Sequence, residues 1–507
     1  MGLTPLAGAG GTSYVSKWIT PSKKGEAMNW RKTAALGALT LIVTACAAGG
    51  SADPPDPVTS VAPTTMETTT TLASAGTPVI MDTDVAAEGI MSIIYLVGQD
   101  EIDIQAVTVS GTGLVHCEEG VHQVLGVLEM MGADDIPVAC GPESPLEGHN
   151  AFPTSWRVVA DHGYGLDLSH GRSAADEHAT DLIARVIRSS PVPVIVYADG
   201  PQTNLAQALR DHPDIADNIE MAYVMGGAID VPGNAIRNPD AEWNIWVDPV
   251  AASEVLGSGI PITLVPLDAT NQVPLHIFHR EALRRHQENP GAEAVLTMLD
   301  NSDQLETGGL FFWDQLTAAI LVDDSYATIE DRSINVILDE DRSVAGVTEE
   351  SPNGSSMQVT VGIDRERFES DFLSAIAGVD VGPIVAEPDW SVTFDGESWT
   401  TDLSDSLLPD QYVVNLVNTS NQEALIAVGW LTGEATVADM DAWESISQPP
   451  WYELESAIYM AANTDVFGVL SLESLQQYVL VGLDPADDIP TRFAVIDVGS
   501  SDPTEDG

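Results

Sequence analysis

The sequence predicts an α/β fold, with a mainly parallel central sheet covered by helices on both faces, followed by a smaller all-β sandwich. Between residues 77 and 385, short apolar runs alternate with segments in which apolar residues recur at helical spacing. Such alternation is typical of parallel sheets that are buried on both faces. Between residues 386 and 500, short apolar or alternating runs are separated by turn residues, which favours an antiparallel sandwich.

The first region contains runs that we predict as strands, at 79–81, 104–109, 137–139, 192–197, 221–224 and 262–265. Helical stripes lie between them, at 90–97, 121–128 and 182–187. The second region contains predicted strands at 390–394, 412–417, 424–428, 478–481 and 493–498. Ligands of open α/β sheets bind beyond the carboxyl ends of the strands, so a site is expected in the loops that follow the strands of the first region.

The composition is strongly acidic and excludes one class of partner. The 507 residues include 77 Asp and Glu against 19 Lys and Arg, a formal net charge of −58, and no lysine follows Lys32. Such a surface repels phosphate backbones, so binding to DNA or RNA is excluded as the main function. Self-repulsion of this size is tolerated best where salt screens it, which predicts a saline habitat.

The N-terminus predicts export. Residues 28–46 combine a basic start, an apolar stretch and Cys46, and they resemble the signal of bacterial lipoproteins. We therefore predict a signal segment at 1–46 with lipidation of Cys46, a Pro- and Thr-rich linker at 47–76, and an acidic tail at 501–507. The protein would be a cell-envelope lipoprotein that touches the membrane through its lipid alone. The alternative is an ordinary secretory signal. Cys117 and Cys140 could form a disulfide or remain two free thiols.

Polar motifs follow the predicted strands at several points. They are Asp82-Thr83-Asp84, Gly200-Pro201-Gln202-Thr203-Asn204, Met225-Gly226-Gly227-Ala228, Gly233-Asn234, Glu242-Trp243-Asn244, Leu267-Asp268-Ala269-Thr270 and Trp313-Asp314. At one sheet edge they would form a polar site without basic residues for a phosphate. Such a site suits a neutral, polyhydroxylated ligand together with a hard cation, because carboxylate and carbonyl oxygens are the ligands that calcium prefers.

These motifs, in this order from about residue 77 to 379, resemble the inosine/uridine-preferring nucleoside hydrolase family. The resemblance implies hydrolysis of the N-glycosidic bond of ribonucleosides to free base and ribose, assisted by Ca²⁺. It implies that Asp84 is the general base, and that Asp84, the Thr203 carbonyl and Asp314 hold the metal. Further implied roles are ribose binding by Asn234, Glu242 and Asn244, a sugar-lining role for Met225, and base stacking with a purine preference for Trp313. A homo-oligomer is left open.

The opening motif departs from the family pattern D-x-D-x-G-x-D-D. Residues 82–89 end in Glu88-Gly89, so a glycine replaces the second of the paired aspartates, which is a principal calcium ligand in the family. Glu88 is predicted to contribute to the metal site in its place. The alternative function is a non-catalytic, exported lipoprotein that binds nucleosides or ribose with a degenerate metal site.

Overall fold

The structure is a computed structural model that describes residues 76–403, 406–407, 410–420, 424–433, 435–443, 449–460, 463–472, 477–483 and 491–498. The predicted signal with Cys46, most of the linker and the acidic tail lie outside these residues and stay predictions. Within the described residues, no helix has both the length and the apolar character needed to cross a membrane.

The first part of the chain alternates strands and helices, as predicted. Its strands are β1 Thr77–Thr83, β2 Ile102–Val109, β3 Val138–Cys140, β4 Val194–Ala198, β5 Ile219–Met225, β6 Ile262–Val265, β7 Ala327–Val336, β8 Thr348–Glu350 and β9 Ser355–Ile363. Its helices are α1 Ala87–Val97, α2 Cys117–Met130, α3 Thr154–Ala160, α4 Ala179–Ser189, α5 Thr203–Asp211, α6 Trp243–Val247, α7 Pro249–Leu256, α8 Leu267–Thr270, α9 Ile277–Arg284, α10 Pro290–Asp300, α11 Asp303–Glu306, α12 Trp313–Val322 and α13 Arg365–Ala377.

These strands form one sheet in the order β3-β2-β1-β4-β5-β6-β9-β7-β8. Pairing is parallel from β3 to β9, and β7 pairs antiparallel with β9 and β8. Val79 and Met81 belong to one buried cluster, with side chains of α1, α2 and α12, while Ile80 belongs to another, with side chains of α4, α5 and α7. Because side chains alternate along a strand, both faces of the sheet are buried under helices. The predicted fold is confirmed.

The register brings the ends of three strands together. Asp82 of β1 lies opposite Ala198 of β4, and Ala198 lies opposite Val224 of β5. The loops that follow β1, β4 and β5 therefore leave the sheet side by side, at the edge where the polar motifs were expected to converge.

The C-terminal part forms two separate sheets. Its elements are β10 Trp390–Phe394, β11 Trp399–Thr401, β12 Ser406–Leu407, β13 Asp410–Asn418, β14 Ala424–Leu431, α14 Val437–Asp441, β15 Tyr452–Met460, β16 Thr464–Leu472, β17 Gln477–Leu483 and β18 Thr491–Val498. The sheet orders are β11-β10-β13-β16 and β12-β18-β17-β14-β15. Side chains of both sheets, such as Val392 and Tyr478, share one buried cluster. Pairing is mostly antiparallel, but β10 pairs parallel with β13 and β12 pairs parallel with β18.

The two cysteines of the described chain are paired. Cys117 at the start of α2 and Cys140 at the end of β3 form a disulfide, with their Cα atoms 5.7 Å apart. Of the two alternatives that the sequence left open, the structure has the bonded one, which ties the start of α2 to the sheet beside the loop after β2.

Candidate active site

Asp84 lies just beyond the end of β1 and is almost completely buried. Its carboxylate accepts hydrogen bonds from the backbone N–H of Leu114, at 2.9 Å, and of Ala86, at 3.2 Å. Gly113 and Gly200 pack against it so closely that a Cβ on either one would collide with the Asp84 side chain. Burial raises the pKa of Asp84 to about 6, although the two N–H groups and Arg157 lower it in part. The side chain is thus held in one orientation by neighbours that must lack side chains.

Asp82 is buried deeper and has a structural role. Its Oδ1 accepts hydrogen bonds from the Thr108 hydroxyl and the Asn204 amide, both at 2.7 Å. Burial raises its pKa to about 7. Asn204 also donates to the carbonyl of Val109, so Asp82 and Asn204 join the ends of β1 and β2 to the start of α5.

Thr203 is the first residue of α5, directly after the loop that follows β4. Its hydroxyl donates to Asp248 at 2.8 Å and lies 2.9 Å from the Thr112 hydroxyl. The position of the predicted carbonyl ligand is therefore set by contacts with two other segments of the sheet edge.

Glu242 caps the N-terminus of α6. Its carboxylate accepts hydrogen bonds from the backbone N–H groups of Asn244, at 2.8 Å, and of Ile245 and Gly227, both at 3.1 Å. Burial raises its pKa to about 7. The capping side chain thereby joins α6 to the loop that follows β5.

Asn244 and Asn234 complete this group. The Asn244 amide donates to the carbonyls of Asp199, at 2.9 Å, and Met225, at 3.3 Å, and so bridges the ends of β4 and β5. The Asn234 side-chain oxygen accepts from the backbone N–H of Trp243 at 3.0 Å. The three predicted ribose-binding residues and Met225 therefore belong to one hydrogen-bonded unit.

Trp313 and Asp314 begin α12. Asp314 is almost completely buried, and its pKa lies well above its usual value because of burial and the charges of Asp199, Glu88 and Asp84. Trp313 is half-buried and packs against the cluster of Met225, Ala228 and Leu267. Its indole Nε1 is buried and has no hydrogen-bond partner in the described part of the chain. The predicted base-stacking residue thus lies beside the predicted sugar-lining residue, and the predicted metal ligand Asp314 follows it in α12.

Glu88 and Gly89 lie in the first turn of α1. Glu88 is half-buried, and burial together with the charge of Asp84 raises its pKa to about 7. A Cβ added to Gly89 would lie 2.7 Å from the Thr83 hydroxyl oxygen and 3.0 Å from Asp199 Oδ2. The side chain that a relative carries at position 89 would therefore point toward Asp199.

Asp199 is a residue that the sequence analysis missed. It follows β4 directly, is 1% exposed, and has no hydrogen bond of regular geometry to either carboxylate oxygen within the described residues. Its pKa lies well above its usual value because of burial and the charge of Asp84, while the nearby hydroxyls of Thr83 and Tyr197 lower it in part. An acidic residue directly between a buried apolar strand and Gly200-Pro201 was the signal that could have found it.

Comparison with known proteins identifies the family. The sequence pattern described as "Inosine-uridine preferring nucleoside hydrolase" matches residues 79–370, which is more than half of the chain. The chain belongs to this nucleoside hydrolase family. The pyrimidine-specific ribonucleoside hydrolase RihA of Citrobacter koseri is 34% identical over 230 residues, which cover 44% of this chain and 70% of that protein. The family and the enzyme class predicted from the motifs, a hydrolase of N-glycosyl compounds, are confirmed.

Solved structures give the same result for the fold. The purine-preferring ribonucleoside hydrolase from Gardnerella vaginalis is 28% identical, with a TM-score of 0.52 over 59% of this chain and 98% of that chain. The inosine-uridine preferring nucleoside hydrolase from Bacillus anthracis is 24% identical, with a TM-score of 0.54 over 59% of this chain and 99% of that chain. The nucleoside hydrolase fold thus accounts for the α/β part, and the two C-terminal sheets are additional to it.

The nucleoside hydrolase site fits a hard divalent cation. The charge of Asp84 raises the pKa of Asp199, and both of these acids raise the pKa of Asp314. Asp199 has no regular hydrogen-bond partner among the described residues. Several buried carboxylates without matched donors are unfavourable unless they are protonated or a cation neutralises them. Oxygen-only donors of this kind suit calcium better than a transition metal.

Another group of potential ligands does not fit a metal. Among the described residues, His276, His279 and Glu369 are the one trio of His, Cys, Asp or Glu whose ligand atoms all lie within 4.8 Å of one another. Arg365 occupies this cluster, with its Nε 2.7 Å from Glu369. The carboxylate oxygens of Asp84, Asp199 and Asp314 do not all lie within 4.8 Å of one another.

Proposed function

We propose that this nucleoside hydrolase is an exported, calcium-dependent enzyme that releases free base and ribose from external ribonucleosides. The observation that carries the proposal is the convergence of buried acids from three distant segments, at Asp84, Asp199 and Asp314, beside the unit formed by Glu242 and Asn244. Residues that far apart in the chain come together in one polar site, at the carboxyl ends of the strands, where ligands of such sheets bind.

Asp84 is the residue that accepts a proton from the attacking water. Cleavage of the N-glycosidic bond passes through a ribosyl cation, so it needs an activated water, a grip on the sugar hydroxyls and help for the leaving base. A carboxylate with a pKa of about 6 is well suited to accept a proton near neutral pH. Its two backbone hydrogen bonds hold it in place before the substrate arrives.

Calcium would be held by Asp84, Asp314 and the carbonyl of Thr203, with Glu88 as the predicted additional carboxylate. When bound, it supplies positive charge that keeps these acids ionised and orients the hydroxyl groups of the ribose. Glu242, Asn234 and Asn244 hold those hydroxyls. The Glu242 oxygens already accept backbone N–H groups, yet each carboxylate oxygen has a further lone pair for a hydroxyl donor.

Trp313 supports a preference for purines. The indole packs beside Met225, the predicted sugar-lining residue, and a double-ring base offers it a larger face than a pyrimidine does. The relatives include a pyrimidine-specific and a purine-preferring enzyme, so the family leaves both outcomes open. A higher kcat/KM for inosine than for uridine, reduced by Trp313→Leu, is the expected result; equal reduction for both bases would contradict the stacking role.

Export through a lipoprotein signal is consistent with the disulfide between Cys117 and Cys140, because disulfides persist mainly outside the cytoplasm. Metabolic labelling with a fatty acid tests the anchor: label should enter the wild-type protein and be absent from Cys46→Ala. Wild-type protein that carries no fatty-acid label and is found in the culture medium would instead support the ordinary secretory signal.

The second candidate is a non-catalytic lipoprotein that binds nucleosides or ribose, which the loss of the aspartate at Gly89 favours. Reducing-sugar release from inosine, guanosine, adenosine and uridine, with millimolar calcium and high salt, separates the two. Release by the wild type that falls at least about 100-fold in Asp84→Asn is expected for the enzyme. Nucleoside binding detected by calorimetry, with no sugar release, would leave the binding protein.

A further inference from the structure

We propose that Asp199 is a calcium ligand of this chain and takes the place of the aspartate that Gly89 lacks. Nothing in the family motifs assigns a role to this residue. Asp199 can take this role only if the site binds calcium, as the proposed function requires.

Position 89 lies directly against the carboxylate of Asp199. A Cβ at position 89 would lie 3.0 Å from Asp199 Oδ2 and 3.6 Å from Asp199 Cγ. A side chain at position 89 would therefore begin in contact with the Asp199 carboxylate and crowd it. Asp199 thus presents a carboxylate from the end of β4 directly beside the place where the family's aspartate starts on α1.

The Asp199 carboxylate is buried almost completely. Asp199 is 1% exposed, and neither of its oxygens accepts a regular hydrogen bond from the described residues. An ionised carboxylate in such a place is strongly unfavourable without a partner. Asp82 in the same region, by contrast, accepts from Thr108 and Asn204. The hydroxyls of Thr83 and Tyr197 lie near the Asp199 carboxylate, but they carry no charge that could neutralise it. A cation is therefore the partner that this carboxylate lacks.

Asp84 and Asp314 are acidic neighbours of Asp199. Among the charged groups that raise the pKa of Asp314, Asp199 has the largest effect, and among those that act on Asp199, Asp84 has the largest. The geometry agrees: a Cβ on Gly200, the next residue, would lie 2.7 Å from Asp84 Cβ, and the hydroxyl of Tyr197, two residues earlier, donates to the Asp314 carbonyl at 3.0 Å. Asp84, Asp199 and Asp314 together restore a set of three carboxylates, and calcium affinity rises with the number of charged ligands.

Hydrogen bonds hold the backbone of Asp199 in place. The Asp199 backbone N–H donates to the Asp82 carbonyl at 3.1 Å, and its carbonyl accepts from the Asn244 amide at 2.9 Å. The residue is therefore fixed between β1 and the ribose-binding unit. Glu88 precedes position 89 on α1, so its side chain leaves the helix about 100° away from the direction in which the missing aspartate would point.

Calcium affinity of the full-length protein, stripped with a chelator and titrated with calcium alone by calorimetry, tests the proposal. Asp199→Asn keeps the shape of the side chain and removes its charge. We expect its calcium affinity to fall about 10- to 100-fold. The matched control is Asp211→Asn, an exposed residue of α5, which should bind calcium as the wild type does.

The double variant Gly89→Asp with Asp199→Asn returns the carboxylate to the family position. We expect it to recover most of the affinity that Asp199→Asn loses. Gly89→Asp alone should not bind calcium better than the wild type, because its side chain would crowd the Asp199 carboxylate. Calcium affinity of Asp199→Asn within about threefold of the wild type would overturn the proposal. The proposal would also be overturned if Glu88→Gln, and not Asp199→Asn, produced the large loss of calcium affinity.

Thermal unfolding provides a second readout that does not depend on turnover. Removal of an unpaired buried charge should raise the Tm of the calcium-free protein, while the rise in Tm that calcium causes should shrink. A calcium-free Tm well below that of the wild type would contradict the unpaired state of Asp199. Sugar release separates this proposal from the proposed function: loss of calcium affinity in Asp199→Asn without any wild-type turnover supports the ligand and removes the enzyme.

Discussion

At the scale of the residue, the site is dominated by acids that are buried before any ligand is bound. Asp84, Asp82 and Glu242 all have a raised pKa, and burial is the largest cause for each. Backbone N–H groups and side-chain donors oppose this effect only in part. The calcium-free protein should therefore carry protonated acids at the sheet edge at mildly acidic pH.

The acid limb of the activity profile follows from Asp84. Only the ionised carboxylate accepts a proton, so kcat/KM should fall about tenfold per pH unit below the pKa of about 6. Bound calcium favours the ionised form and lowers that pKa, so the acid limb should move to lower pH as the calcium concentration rises. Initial rates with inosine at several calcium concentrations test this. An acid limb that does not move with calcium would contradict the contact between Asp84 and the ion.

The stability of the calcium-free protein should depend on pH through Asp82. The pKa is raised from 3.8 to about 7, so folding favours the protonated form. The stabilisation is complete below pH 4 and is lost as the pH rises through 7, by about 4 kcal/mol for the three-unit shift. Asp82→Asn removes this contribution and should flatten the decline in Tm between about pH 4 and 7.

Surface repulsion changes with pH in the same direction, so the comparison of Asp82→Asn with the wild type is made in molar salt with a chelator. Salt screens exposed charges and leaves buried groups almost unaffected. An unchanged pH dependence in Asp82→Asn would show that Asp82 does not titrate in this range.

At the scale of the element, the ends of strands and the starts of helices carry the function. β1, β4 and β5 end at the same level, and α5, α6 and α12 begin with Thr203, Trp243 and Trp313. A helix start leaves backbone N–H groups without partners, which is why Glu242 can both cap α6 and stay rigid beside the substrate.

Glu242→Gln tests the cap. Its amide nitrogen would face either the N–H of Asn244 or the two N–H groups of Gly227 and Ile245 with a donor instead of an acceptor. We expect a loss of about 1–2 kcal/mol in the free energy of unfolding, measured in urea, and a higher KM for the nucleoside. Glu220→Gln, at an exposed position of β5, is the control and should change neither. A normal KM in Glu242→Gln would remove the residue from ribose binding.

The disulfide joins two elements across a separation of 23 residues. Closing a loop of that size stabilises the folded state by about 3 kcal/mol, mainly by restricting the unfolded chain. Replacing both Cys117 and Cys140 by Ser should lower the Tm, and a reductant should lower the wild-type Tm to the same value. If a reductant left the wild-type Tm unchanged, the thiols would be free in solution.

Prediction of the elements succeeded where the pattern was strong. The strands at 262–265 and 390–394 have the predicted bounds, and β1, β2 and β5 extend one or more residues beyond the predicted runs. β7 to β9 were not predicted, because β7 alternates exposed and half-buried residues and carries polar side chains that hide its period. β11, β15 and β16 were missed as well. The sandwich prediction did not include the parallel pairs β10–β13 and β12–β18.

At the scale of the whole molecule, the C-terminal sheets pack onto the hydrolase part near the site. Phe467 of β16 contacts the rings of His276 and Phe278, and Arg365 of α13 bonds Asp465 at 2.8 Å. Phe311 belongs to the buried cluster of the C-terminal sheets, and Trp313 packs against that same cluster. The segment that carries Trp313 and Asp314 is therefore supported from both parts of the chain.

The net charge of −58 predicts a dependence on salt. Self-repulsion destabilises the compact state, and salt shortens the range of repulsion to about 3 Å at 1 M. With a chelator present, the Tm should rise by several degrees between low salt and molar sodium chloride. An uncharged osmolyte at the same osmolality is the control. An equal rise with that osmolyte would assign the effect to solvent exclusion instead of to charge.

The sequence alone determined the alternation of strands and helices, the family and the segments that reach the sheet edge, because each of these depends on residues close together in the chain. It also pointed to the lost carboxylate at Gly89. Only the tertiary structure shows which residue lies against position 89. Asp199 lies 110 residues further along, and its approach to Gly89 depends on the pairing of β1 with β4 and on how α1 packs beside them. No local pattern records such an approach, because it is a property of the packed backbone.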